Sequence, residues 1–408
     1  MSSDISDSGC MRRSPLVVRV LRANKEDDMA VLLQERKAPL VIRAFDTLVG
    51  RRLRLGKEIL DVVHAKAAAG ELPVWRQLGE MLVLKLFRRQ TFRFYLYGRF
   101  WRRQMPWRDK WQHLNYREYA HLVDCSNDRE YRRGFGNKLV QKALLSQRGL
   151  PTPRLLGLFH PAHGWRADGG ALCTEADLAS LLRELDDDHF ACKMPDGYGG
   201  ANFLAFYLEN TANGLRLRHP ISGETRTIAD LCRQLSALPQ GYLIERFQRQ
   251  HPMLAEFNPS SLNTVRAWVY QNEQGSRLVG AYLRVGRRHA LTDNISTGGM
   301  VCLLNPETGE MTELLSGDLG IRPLNAHPDT GFKPVGKCLP FWPELRALAE
   351  QTLLSFPRMH LTALDIAIGP DGPLIIEVNL EAPGQVGLAR IDIPGRQLFP
   401  EVFADHAA

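Results

Sequence analysis

Apolar residues in the first third of the chain recur at helical spacing. Ile59, Val62 and Val63, then Leu78, Met81, Leu82 and Leu84, fall three and four positions apart, and Gly and Pro are scarce between Pro15 and Arg133. The pattern predicts helices. From Asn137 onward it changes. Asn137–Gly149 reads as a short helix stopped by Gly149, with Pro151 and Pro153 beyond it. Short strand-like runs follow at Phe190–Met194, Tyr242–Phe247, Asn263–Tyr270 and Leu278–Val285. Thr362–Ile368 and Leu374–Leu380 read as a hairpin joined through Pro370-Asp371-Gly372. The expected organisation is a disordered N-terminus over 1–14, a basic helical domain over 15–135 and an α+β domain over 136–408.

Composition narrows the class. At 408 residues, 44% hydrophobic and 24% charged, the chain fits a soluble protein of two or three packed units and excludes collagen-like, disordered and disulfide-scaffold readings. Among the most apolar stretches, Met81–Phe87 carries Lys85 inside it, so no transmembrane segment is expected. Met1–Arg13 has Ser, Asp and Gly where a signal peptide needs an apolar core, which makes the cytoplasm the expected location. The seven cysteines include no Cys-x-x-Cys pair, so free thiols are expected and a structural zinc is not.

Charge is distributed unevenly. Through Phe135 there are 27 Lys and Arg against 16 Asp and Glu; with a whole-chain net charge of +7, the remainder is acidic. Arg88–Trp111 interleaves cations with eight aromatics, a composition suited to nucleic acid or to an anionic membrane surface. No nucleic-acid motif accompanies it. The expectation is a partly buried helix pair with Arg side chains lying over the rings, and no nucleic-acid partner.

The last hairpin carries the clearest chemistry. With a three-residue loop, Gly369 faces Pro373 and Asp365 lies opposite Glu377, and alternation places Asn379 on the face of Glu377. Two facing carboxylates repel, so something positive is expected between them, and oxygen-only ligands suit Mg²⁺ or Mn²⁺. A second signal is Lys193 at a strand end, followed by Asp196-Gly197-Tyr198-Gly199-Gly200. Glycines there let backbone N–H groups approach phosphates beside a lysine charge.

This order of parts resembles the ATP-grasp superfamily over about Asn137 to Ala404: Lys138 on a helix, Lys193 with its glycine loop, Leu243-Ile244-Glu245-Arg246-Phe247, and the Asp365…Glu377-x-Asn379 hairpin. Asn258-Pro-Ser-Ser-Leu-Asn-Thr-Val-Arg266, Asp293-Asn-Ile-Ser-Thr-Gly-Gly299 and Phe94-Tyr95-Leu96-Tyr97 look like the sugar-transfer-associated ATP-grasp proteins. The resemblance implies an ATP-grasp fold of two α+β subdomains clamping ATP, with an α-helical N-terminal domain added. It further implies that Lys138 and Lys193 hold the ATP phosphates under a flap with Gly199 and Gly200. Glu245, Arg246 and Phe247 would lie along adenine and ribose, and Asp365, Glu377 and Asn379 would bind Mg²⁺. Arg266 would face the transferring phosphate or a substrate carboxylate, with Asn294, Gly298 and Gly299 near an acyl phosphate. Asp365 stands where the family usually has Glu.

The function so implied is an ATP-dependent carboxylate–amine ligase acting on small-molecule or peptide substrates. A small-molecule or sugar kinase, and a non-catalytic nucleotide-binding protein of polysaccharide assembly docked peripherally on a membrane, are the alternatives. Substrate identity and oligomeric state are left open.

Overall fold

The structure is a computed structural model that describes residues 40–197, 202–212, 214–288, 290–295 and 298–403. Among the described residues, 40–53 belong to one unit and are helical, and those from 54 to 403 belong to a second, compact unit. The expected N-terminus over 1–14 and the start of the expected helical domain, 15–39, lie outside the described residues.

Helices fill the region before the first strand: Leu40–Ala68, Val74–Arg88, Phe92–Tyr97, Trp107–Gln112, Tyr116–Ser126 and Arg129–Phe135. Local chemistry starts several of them. Asn115 and Glu118 form a reciprocal capping box, and the Thr91 hydroxyl accepts from the Phe94 N–H. In Arg88–Trp111 the aromatics Phe94, Tyr95, Phe100 and Trp101 are buried, with Lys85 over Phe92 and Arg88 over Trp111. This segment is a core, shared with Ile59, Val63, Met81 and Leu84.

Two seven-stranded antiparallel sheets follow, so the fold is α+β. The first holds β1 (Leu155–Phe159), β2 (Trp165–Arg166), β3 (His189–Lys193), β4 (Leu204–Thr211), β5 (Gly214–Arg218), β6 (Thr225–Arg226) and β7 (Tyr242–Arg246), in the order β2-β1-β7-β3-β4-β5-β6. Helices Glu175–Arg183 and Ile228–Ser236, each opened by a Thr/Asp capping box, share its hydrophobic core. The second sheet holds β8 (Thr264–Asn272), β9 (Gly275–Val285), β10 (Met300–Leu304), β11 (Met311–Leu315), β12 (Pro323–Leu324), β13 (Leu361–Gly369) and β14 (Gly372–Asn379). Its order is β12-β11-β10-β9-β8-β13-β14.

The two faces of the second sheet meet different partners. Helix Trp342–Leu354 packs against the side bearing Val265, Ala267, Leu364 and Ile366. The other side, bearing Trp268, Tyr270 and Ala363, is covered by Leu114, Tyr119, Leu122 and Val123 from the N-terminal helices. Arg99, almost fully buried, reaches Glu313 and Asp392. The Asn127 amide donates to Leu361 O and Leu380 O and accepts from the N–H groups of His360 and Leu361. Leu114 and helix Tyr116–Ser126 therefore share one core with the second sheet.

The hairpin corrects one sequence expectation. Gly369 pairs with Gly372, not Pro373, so the loop has two residues and Gly372 takes φ +136°. A bulge between Asp365 and Ile366 then absorbs Ile376. The one-residue difference in the turn and the bulge cancel, and Asp365 still pairs with Glu377.

Candidate functional site

Strand register builds a row of charges across the second sheet. Glu377 on β14 faces Asp365 on β13, Asp365 faces Arg266 on β8, and Arg266 faces Tyr282 on β9. Directly paired residues share a sheet face, so one line of side chains crosses four strands. It occupies the end of the face that carries Trp268 further along β8. Arg266 donates to Asp365 from Nε at 2.6 Å and Nη2 at 3.2 Å, and Arg284 Nη2 lies 3.1 Å from Asp365 Oδ2. Arg284 also meets Asp293 at 3.2 Å, and Asp293 accepts from the Thr264 backbone at 2.8 Å.

The electrostatics follow from this packing. Burial works to raise the Asp365 carboxyl, but the Arg266 and Arg284 guanidiniums outweigh it and hold it below the usual carboxylate range. Burial likewise opposes the charge on Arg284, and Asp293 and Asp365 overcome it. Cations of the protein itself flank the facing carboxylates. Arg266 and Arg284 serve Asp365, and Lys138 Nζ lies 2.9 Å from Glu377 Oε1.

A second cluster sits on the first sheet. Lys193, the last residue of β3, lies diagonal to Glu245 on β7. Glu245 is buried, with Lys193 Nζ 2.9 Å from Oε2 and Lys142 Nζ 2.9 Å from Oε1. Lys142 also donates to Pro153 O at 2.8 Å. Burial pushes the Lys142 ammonium down to about 8, against the pull of Glu245.

One helix joins the clusters. Lys138 and Lys142 stand about one turn apart on helix Lys138–Gln147, so the first reaches Glu377 on the second sheet and the second reaches Glu245 on the first. Gln141 fixes that helix against the sheet edge: its Nε2 donates to Val378 O at 2.7 Å and its Oε1 accepts from Val378 N–H at 3.1 Å. These bonds satisfy backbone groups that an edge strand leaves unpaired. The turn after Lys193 is tied to the same helix start. Lys138 N–H donates to Pro195 O at 2.9 Å, Asn137 Nδ2 donates to Asp196 at 2.7 Å, and the Lys138 ammonium donates to Gly197 O.

Other residues singled out in the sequence sit apart from these contacts. The Arg246 side chain turns toward Asp187 at 3.0 Å and Asp186 at 3.4 Å. Phe247 stacks on His189, with ring centroids 5.0 Å apart. Asn294 follows Asp293, and its backbone carbonyl accepts from Gly299 N–H at 3.0 Å. Asn379 pairs with Ala363, and its Nδ2 is buried without a hydrogen-bond partner among the described residues. Gly199 and Gly200 lie outside the described residues.

Two members of the site escape sequence reading, Arg284 and Lys142, and Asp293 enters it only as the first residue of a motif, with no partner assigned to it. Arg284 shares a face of β9 with Tyr282 by simple alternation, and Lys142 follows Lys138 by four, so both carried a positional signal. Arg390, buried on helix Gln385–Arg390 beside the Tyr97 ring, also escaped notice.

The sequence profile of the sugar-transfer associated ATP-grasp family matches residues 117–400. The chain belongs to that family. In this ATP-grasp protein the match takes in both charge clusters and begins within helix Tyr116–Ser126. No curated protein matches the chain. Among solved structures, the RimK domain ATP-grasp protein of Sphaerobacter thermophilus is 13% identical, with TM-score 0.36, over 69% of this chain and 76% of that one. The N5-carboxyaminoimidazole ribonucleotide synthetase of Thermotoga maritima is 13% identical, with TM-score 0.32, over 67% of this chain and 49% of that one. The D-alanine–D-alanine ligase of Coxiella burnetii is 9% identical, with TM-score 0.34, over 67% and 61%. The chain thus spans about half the length of the Thermotoga enzyme.

Proposed function

We propose that this protein is an ATP-dependent carboxylate–amine ligase that forms an amide or peptide bond through an acyl phosphate and releases ADP and phosphate. The observation that carries this reading is the single sheet face on which Arg266 and Arg284 stand beside Asp365 and Glu377, with Lys138 at its edge. A carboxylate substrate and a triphosphate are both anionic, and this face offers buried, fixed cations to one, while Lys138 at its edge and Lys193 on the first sheet are available to the other.

In this reading Lys138 and Lys193 hold the β- and γ-phosphates, while Glu245 and Lys142 keep the Lys193 ammonium in place. Glu245, Arg246 and Phe247 line the nucleoside, and Gly199 and Gly200 close over the phosphates. Arg266 orients the substrate carboxylate for attack on the γ-phosphorus, and ADP departs as the P–O bond breaks. Arg266 and Arg284 then steady the acyl phosphate beside Asn294 until an amine displaces phosphate.

Mg²⁺ fits part of the expected donor set. Asn379 has a buried amide nitrogen with no hydrogen-bond partner among the described residues, and a half-turn of that amide presents its oxygen in the same place. Glu377 offers a second oxygen beside the one held by Lys138. Both Asp365 oxygens already receive guanidinium groups, so Glu377 and Asn379 are the residues that would hold Mg²⁺. Bound there, the ion would offset negative charge on the phosphates.

The test is a screen of carboxylates and amines with the purified protein, reading ADP, phosphate and, with hydroxylamine present, hydroxamate. Ligase activity yields all three and no AMP. A stable phosphate ester without hydroxamate would replace the reading with a kinase.

A further inference from the structure

Helix Val74–Arg88 buries one face and turns a second apolar face to solvent. Gln77, Glu80, Met81 and Leu84 point inward, with Met81 and Leu84 packed in the N-terminal core. On the other side Trp75 is 75% exposed, Leu82 51%, Leu86 65% and Phe87 71%, with Leu78 and Val83 also open. At about 100° per residue, Trp75, Leu78, Leu82 and Leu86 lie within an arc of roughly 80°. A solvent face normally carries polar residues there. A contiguous stripe of large apolar side chains marks a surface that meets something.

Charge identifies what it meets. Arg76, Lys85 and the cap residue Arg89 are exposed around the stripe. The helix has one acid, Glu80, and that is buried and held by Lys110 at 2.7 Å, Tyr95 at 2.8 Å and Arg76 at 3.2 Å. At the C-terminal end Arg88 lies over the Trp111 ring at 5.6 Å, and Trp107 and Trp111 have centroids 6.0 Å apart, both rings partly exposed. Apolar residues bordered by cations and tryptophans suit the headgroup boundary of an anionic bilayer. A second copy of the chain fits poorly, because a two-fold contact of this helix with its copy would bring the cations Arg76, Lys85 and Arg89 of the two helices together with no exposed acid on either helix to offset them. No helix among the described residues is long and apolar enough to cross a membrane.

We infer that the outer face of helix Val74–Arg88 docks this protein on an anionic lipid surface. The helix lies in the plane of the interface, with Trp75, Leu82 and Leu86 at the acyl boundary and Arg76, Lys85 and Arg89 among the lipid phosphates. The inference is independent of the proposed ligase reaction.

Co-sedimentation of the full-length protein with phosphatidylcholine vesicles, with and without phosphatidylglycerol, tests it. Partitioning should be at least about tenfold stronger on the anionic vesicles and should weaken with added salt. The double variant Leu82→Glu/Leu86→Glu should lose sedimentation while keeping the wild-type circular dichroism melt, since both side chains are exposed. Lys85→Glu/Arg89→Glu should lower partitioning by at least about thirtyfold, as expected when two interfacial cations are lost and two anions put in their place. Three results would each overturn the inference: no sedimentation of the wild type with anionic vesicles, unchanged binding by the leucine variant, or a leucine variant whose only change is a smaller oligomer by light scattering.

Discussion

Asp365 and Glu377 face each other across the β13–β14 hairpin, yet each carboxylate answers to a different cation, Arg266 at 2.6 Å for Asp365 and Lys138 at 2.9 Å for Glu377. Asp365 is sealed in, whereas Glu377 is partly open to solvent. Two carboxylates in one row should therefore respond differently to neutralisation.

Asp365→Asn takes the anion from buried Arg266 and leaves Arg284 with Asp293 alone, and should cost about 3–5 kcal/mol of stability. Glu377→Gln should cost less than about 1 kcal/mol. Urea denaturation of both variants gives the comparison. Under the proposed reaction Glu377→Gln should also lose ADP release while retaining a native-like unfolding midpoint.

Glu245 lies between Lys142 and Lys193, so Glu245→Gln removes the anion that separates the buried Lys142 ammonium from the partly buried Lys193 ammonium. A loss of about 3 kcal/mol or more is expected. Adding Lys142→Met should recover part of it, because one of the opposed charges is then gone. A double-mutant cycle in urea measures that coupling, and simple additivity would show that the three groups do not act together.

His113 is buried against Phe100, and burial, with a smaller contribution from Arg102, pushes its imidazole down to about 4. The unfolded chain takes up that proton near pH 6.5 and the folded chain does not until about pH 4. Its contribution to stability is therefore present above pH 6.5 and lost as pH falls through that window, by about 1.4 kcal/mol per unit. Thermal melts near neutral pH and near pH 5 should separate more for the wild type than for His113→Phe.

Gly387 is a glycine because Trp268 occupies the space of a side chain: a Cβ there would stand 2.3 Å from Trp268 Cη2. Gly387→Ala should push helix Gln385–Arg390 off the sheet at a cost of about 1–3 kcal/mol. A lowered melting temperature with altered tryptophan fluorescence is the expected signature.

The sequence determined what depends on near neighbours. Helix Lys138–Gln147 and the strands at Lys193 and Glu245 follow from caps, alternation and turn residues within a few positions of one another, whereas the pairing of Asp365 with Glu377 also depends on a bulge that those residues do not announce. Several strands, among them β4, β10 and β11, went unread because neighbours in the sheet, more than their own composition, make them strands. The same limit applies to the site. Arg266 and Asp365 are separated by 99 positions, and Lys138 and Glu377 by most of the chain, so only the folded sheet order makes them partners. Helix Val74–Arg88 shows the limit within a single element. Its spacing of three and four announces an apolar stripe, but Leu78 and Leu82 stand outside while Met81 and Leu84 are buried. A helix apolar on two sides has no local rule for choosing its inner face. Phe94, Phe100 and Trp101 make that choice by packing with Met81 and Leu84, which leaves the other stripe facing outward.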